Sequence, residues 1–320
     1  MFKKNTYTGF NVNWDKIPDD NVTKKNLKFL YENITPMSKN MTYVINGVPI
    51  IFDKQDKDIA ITLSGGADST MLLYLLCTII RTQALKTRIH CMTLLRFTED
   101  RMYLEDVVTG VINYIKEKFP DIEIIQHWGF IPTALEMTPL SALEVGLRKT
   151  NAYAEFEPVM KRGANADVFA VHAYSMYIRK KHNICWQYDG TTTNPEHTAD
   201  GKFTPVFRNP RTLDENDMRG AYTLSEWYNQ ADRQHTTLVN SPFEFIQKNW
   251  VMAQYKNFGL EELLELTRSC EGSTTALNAI HGEGNWTTRG SDYVCGYCFF
   301  CDERQWGIDA SNIFLRENCE

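Results

Sequence analysis

The stretch ITLSGGADSTMLLYLL, Ile61 to Leu76, decides the fold. An apolar strand runs into two glycines flanked by serine, then an acid and a second serine, then an apolar helix. Gly65 and Gly66 let the backbone turn sharply and approach a ligand. The N–H groups that open the next helix have no intrahelical partners, and the helix dipole adds positive character there. The arrangement predicts an anion cradle best suited to phosphate. Ser64 and Ser69 add hydroxyls. Asp68 repels phosphate itself, but can hold a Mg²⁺ that bridges phosphates or orient a backbone group. The spacing is not that of a Walker A loop, which needs a Gly-Lys-Ser/Thr ending, nor the dinucleotide pattern G-x-G-x-x-G.

The chain around this loop alternates short apolar strands with helices. DIAITL, RIHCMTLLRF, IEIIQHW and NICWQY read as strands. Ala67 to about Arg81 and YLEDVVTGVINYIKEKF read as helices, and 132–181 as helical stretches broken near Pro158 and Gly163. This predicts an α/β fold with a doubly wound parallel sheet and its ligand crevice at the strand C-termini. Residues 1–57 read as an N-terminal extension, with a helix capped by Asn21 and a hairpin turning at Asn46-Gly47. Residues 58–307 form the main domain. Within it, 191–240 is a polar, turn-rich stretch of the kind that serves as a functional lid or a mobile insertion. Ser241, Pro242 and Glu244 read as cap, first turn and capping box of a helix carrying Lys248. Residues 308–320 are a tail.

Among eight cysteines, Cys295, Cys298 and Cys301 stand at C-x2-C-x2-C, with Cys270 upstream. In a chain of 320 residues whose N-terminus lacks an apolar run after its lysines, a metal or buried thiols are expected rather than disulfides. Four thiolates suit tetrahedral zinc, so the cysteines define a knuckle over 270–301. An iron–sulfur cluster on three of them, or plain buried thiols, are the alternatives. Cys77, Cys91 and Cys185 read as core residues, and Cys319 as incidental. His172, His182 and His197 read as structural or surface residues. Asp189 and Glu196, in the turn after the fourth strand, read as turn residues with metal or substrate binding as the alternative. No segment approaches a membrane span, and cytoplasmic residence is expected. A net charge of −6 without a basic block gives a nucleic-acid partner no support.

SGGADS resembles the PP-loop of the ATP pyrophosphatases. Together with the distal cysteine and terminal C-G-x-C-x-x-C, it is similar to the 7-cyano-7-deazaguanine synthases. A third likeness is SPFEFIQKNWVMAQYKNFG, with Ser241, Pro242, Lys248 and Gly259 on family positions. The family's Pro-Gly-Arg-Asn stretch is absent; EPVMKRGANADVF holds Arg162, Gly163 and Asn165 in another order. The resemblance covers about 58–190 and 241–307. It implies ATP held by Leu63, Ser64, Gly65, Gly66, Ala67, Asp68, Ser69 and Thr70, with Mg²⁺. It implies Asp68 and Lys248 as catalytic residues and Zn²⁺ on Cys270, Cys295, Cys298 and Cys301. The implied substrates are a deazapurine carboxylate and ammonia, and homodimers are common among relatives. A PP-loop tRNA sulfur transferase with an iron–sulfur cluster is the competing assignment.

Overall fold

A computed structural model describes residues 40–53, 57–96, 103–131, 166–184, 186–192, 238–244, 246–270, 277, 279–280, 294–296 and 298–311. Strands β1 (Asn40–Ile45) and β2 (Val48–Asp53) form an antiparallel hairpin. The remaining elements are β3 (Ile59–Thr62), α1 (Ala67–Thr82), β4 (Ile89–Arg96), α2 (Tyr103–Lys118), β5 (Ile124–Ile131), α3 (Ala166–His182), β6 (Trp186–Tyr188), β7 (Leu238–Asn240), α4 (Lys248–Phe258), α5 (Glu261–Leu266) and α6 (Phe299–Ser311).

The main sheet has five parallel strands in the order β5-β4-β3-β6-β7. The order reverses between β3 and β6, and a doubly wound sheet opens its ligand crevice at that point, beyond the strand C-termini. Strand alternation assigns the two faces. Ile59, Ile61, Ile89, Cys91 and Ile124 enter the large core with α1, α2 and α4. Ala60 and Met92 point the other way, against Ile178 of α3 and Ile184. Helix α1 is buried along most of its length, so its apolar run Met71–Leu76 serves as core rather than as a surface face.

The hairpin turns where Asn46-Gly47 predicts it, with φ of 44° and 87°, the double positive-φ turn that matches strand twist. It is not a free extension: Val48, Ile50, Ile51 and Phe52 are buried in the large core. Tyr188 donates to the Ile51 carbonyl at 2.6 Å, and the Trp250 indole donates to the Asn46 carbonyl at 3.0 Å. The predicted N-terminal helix, Cys185, Glu196, His197 and Cys319 lie outside the described residues.

Two expectations change. The polar insertion does not run unbroken to 240, because Leu238–Asn240 pairs with β6 as a fifth strand. Its three residues carry too little pattern to stand out. The helix expected at Ser241 begins at Lys248, with Gln247 as its cap. Residues 241–244 form a tight turn instead, with Glu244 N–H to the Ser241 carbonyl and Ile246 N–H to the Phe243 carbonyl at 3.0 Å each. This stretch sinks Phe243 and Ile246 into the core, and this burial outweighs early helix initiation.

Candidate functional site

Gly65 has φ 72°, and a Cβ there would stand 2.9 Å from Val107 Cγ1. Only glycine fits this left-handed, crowded position. Gly66 caps α1 in extended conformation without a side-chain bond, so the first N–H groups of α1 face outward in the manner of an anion site. The serines hold the loop. Ser69 Oγ accepts from Ser64 N–H at 3.2 Å and lies 3.1 Å from Ser64 Oγ, which accepts from Gly66 N–H at 3.3 Å. The Arg268 N–H donates to the Gly65 carbonyl at 2.8 Å. Tyr255, in α4, donates to the Ala67 carbonyl at 2.7 Å.

The loop floors a cavity of about 310 Å³ at the strand C-termini, within the ordinary size for a small-molecule site. Leu63, Ser64, Gly66, Asp68 and Ser69 line it. Gly65, Ala67 and Thr70 do not; Ala67 and Thr70 are packed into the core beneath. The adjoining wall comes from Asp189 to Thr192 after β6. Asp189 Oδ1 accepts from the Thr191 N–H at 2.7 Å and from its hydroxyl, closing a turn. A Cβ on Gly190 would lie 2.6 Å from Ser69 N, so this wall presses directly on the first turn of α1.

Lys248 opens α4 and is 3% exposed. Its ammonium is paired with Asp68 Oδ2 and lies 3.3 Å from Glu303 Oε2 of α6. Burial acts most strongly on Lys248 and pushes its pKa down. Asp68 and Glu303 together outweigh it and hold the value above 10.5. Two of the three ammonium protons are committed to carboxylates, leaving one for the cavity. Asp68 Oδ1 is buried with no hydrogen-bond partner among the described residues, an acceptor suited to a hard cation. Asp68 and Lys248 stand out in the sequence, whereas Glu303 and Arg268 do not. Arg268 also lines the cavity and stacks 3.9 Å over the Tyr103 ring.

Cys270, Cys295, Cys298 and Cys301 come together with all four sulfurs within 4.8 Å of one another. The Cys295–Cys301 and Cys298–Cys301 separations are 3.8 and 3.5 Å. The neighbouring sulfurs of Cys270 and Cys298, then burial, push the Cys301 thiol far up. Four sulfurs this close form a cluster disposed to hold a metal. Gly296 turns the knuckle at φ 74°. Cys270 also lines the cavity, and the Tyr103 hydroxyl donates to its carbonyl at 3.2 Å. Directly after Cys301 come Glu303, which reaches Lys248, and Arg304, which bonds Thr267 Oγ1 at 2.7 Å and the Leu264 carbonyl at 2.8 Å. The cysteine knuckle is therefore continuous with the helix that pins the cavity lysine. Among the described residues, no helix is long and apolar enough to cross a membrane.

No protein-family model matches this chain, and no curated protein matches it. Among solved structures it is similar to the U34-tRNA thiolase NcsA from Methanococcus maripaludis with its 4Fe-4S cluster. That likeness has 15% identity and a TM-score of 0.32, over 82% of this chain and 75% of that one. It is also similar to a 4-thiouridine synthetase in an RNA complex with bound ATP. There the identity is 15% and the TM-score 0.34, over 74% of this chain and 54% of that one. Likenesses this distant do not bear on activity.

Proposed function

We propose that this chain is an ATP-dependent enzyme of the PP-loop type that adenylates a carboxylate and delivers ammonia to it. Its proposed substrate is 7-carboxy-7-deazaguanine and its product the 7-cyano compound. The observation that carries the reading is the SGGADS cradle at the sheet's reversal point, with a buried, charged lysine fixed against its aspartate.

In this reading the carboxylate oxygen attacks the α-phosphorus of ATP, and the bond to the β-phosphate breaks. Pyrophosphate departs into the loop, held by helix N–H groups, Ser64, Ser69 and Lys248. Asp68 Oδ1 is the residue atom suited to Mg²⁺, which shares the phosphate charge. Ammonia attacks the acyl carbon, loses a proton and displaces AMP, giving the amide. The amide oxygen then attacks the α-phosphorus of a second ATP and pyrophosphate leaves; loss of both amide protons and departure of AMP give the nitrile. Asp68 and Lys248 are the proposed catalytic residues.

Zinc is the proposed metal of the cysteine cluster. Zn–S bonds of about 2.3 Å arranged tetrahedrally place sulfurs about 3.8 Å apart, close to the separations of 3.5 and 3.8 Å. With four sulfurs bound, the ion has no open position and its part is structural. One observation favours the competing reading, a sulfur transferase acting on tRNA: Cys270 faces the nucleotide cavity, so a cluster there would stand beside the reacting phosphate.

Incubation of the purified protein with ATP, Mg²⁺, ammonium and 7-carboxy-7-deazaguanine, followed by mass spectrometry, tests the proposal. Nitrile and two AMP per turnover are expected. Unchanged carboxylate with a colourless, zinc-containing protein would remove the substrate assignment. A brown, iron-containing protein that thiolates tRNA would replace the whole reading.

A further inference from the structure

A second cluster of metal-ligating side chains lies apart from the cavity. His90 is the second residue of β4, His127 the fourth of β5, and His182 the last of α3. Strand alternation and register put His90 and His127 on the α3 face of the sheet, His127 opposite Met92. Along β4, Met92 stands between His90 and the cavity, in an apolar layer with Ala60, Ile178 and Ile184. Asn183, at φ 55°, ends α3 with the Ile184 N–H returned to the Arg179 carbonyl at 2.8 Å. This left-handed cap fixes the place of His182.

The three imidazoles converge. One ring nitrogen from each lies within 4.8 Å of the other two. His90 Nδ1 is 2.8 Å from His127 Nε2, their rings parallel within 5°. The His182 ring centroid is 4.8 Å from that of His90 and 4.9 Å from that of His127. His182 Nε2 is buried with no hydrogen-bond partner among the described residues. An unsatisfied buried polar atom is costly, so the ring nitrogen invites a partner. On the far side, His90 Nε2 lies 3.5 Å from Asp58 Oδ2. Arg88 Nε holds both Asp58 oxygens, at 3.0 and 3.1 Å. The carboxylate stands behind His90 where a metal site's outer support usually lies, here as an electrostatic contact rather than a hydrogen bond.

We infer that His90 Nδ1, His127 Nε2 and His182 form a second metal site, which takes one divalent ion of the borderline class, such as zinc or cobalt. Neutral imidazoles suit such ions, and three protein ligands leave one coordination position for water. The ion stitches the C-terminal end of α3 to β4 and β5. His90 is almost wholly buried while His127 and His182 are half-buried, which gives the ion a path in.

Full-length protein, first given one equivalent of Zn²⁺ to fill the thiolates, is titrated with Co²⁺ and followed by calorimetry and visible absorption. One further Co²⁺ per chain is expected, with ligand-field bands and no sulfur charge-transfer band. H127A and H182A, chosen because both positions are partly exposed, should each weaken that binding at least tenfold. D58N should weaken it about tenfold, as outer-shell losses do. Unchanged circular dichroism serves as the folding control. No cobalt beyond the zinc-filled site, or binding indifferent to H127A and H182A, overturns the inference and leaves a hydrogen-bonded histidine pair. Neither result depends on the nucleotide reading.

Discussion

Lys248 is the residue on which the cavity's charge balance turns. It neutralises two carboxylates from different parts of the chain, the partly exposed Asp68 and the buried Glu303. Removing one partner of a buried pair strands the other, at a cost of about 3–5 kcal/mol. Lys248→Met should therefore lower unfolding free energy by that order in urea titrations and abolish ATP-dependent pyrophosphate release. The double variant Lys248→Met/Glu303→Gln should recover part of the stability and none of the activity. The pH dependence has a definite sign. The folded pKa of Lys248 is raised above 10.5, so its contribution is whole below 10.5 and is lost as pH climbs through the raised value. Wild type should lose stability at alkaline pH more steeply than Lys248→Met, by thermal melts across that range. Gly65→Ala places a Cβ 2.9 Å from Val107 at a left-handed φ. It should cost about 1–3 kcal/mol and weaken ATP binding more than tenfold by calorimetry.

At the level of elements, α6 matters because it is anchored at one end by sulfur and in its middle by Glu303, Arg304 and Gly307. Gly307 lets α6 approach α4 so closely that a Cβ would stand 2.8 Å from Lys248 Cγ. Removing the knuckle's metal should release Glu303 from Lys248. A strong chelator, or Cys298→Ser, should lower the melting temperature by several degrees, about 1–2 °C per kcal/mol lost for a chain of this size. It should also cut pyrophosphate release, although the metal has no proposed chemical part; an undiminished rate after metal removal would break the link. The sequence signalled much of this arrangement. The strand-glycine-helix junction at Ile61–Leu76 and the cysteine spacing are local patterns, and both were readable. Glu303 and Arg268 were not, because each looks like an ordinary charge until folding brings α6 and the segment after α5 to the loop. Nor were His90 and His127, which sit on separate strands and meet only through sheet register.

For the molecule as a whole, the hairpin is part of the core rather than an accessory. Ile50, Ile51 and Phe52 are fully buried there, each worth about 1.5–3 kcal/mol. Deleting residues 1–53 should yield protein that binds hydrophobic dyes and lacks a cooperative melt; a sharp transition would show that the parallel sheet stands alone. The alternation of strands and helices foretold the sheet, but the core's edge was hidden, since the hairpin's alternating residues do not say what they pack against. A last consequence follows from Cys77 on α1 and Cys91 on β4. Both are wholly enclosed, and burial raises both thiols, Cys91 to about 12. In the native state they are silent to alkylating reagents. Pulsed labelling at these two positions, mapped by peptide mass, therefore clocks the opening of the protein's centre, a stopwatch already written into the chain.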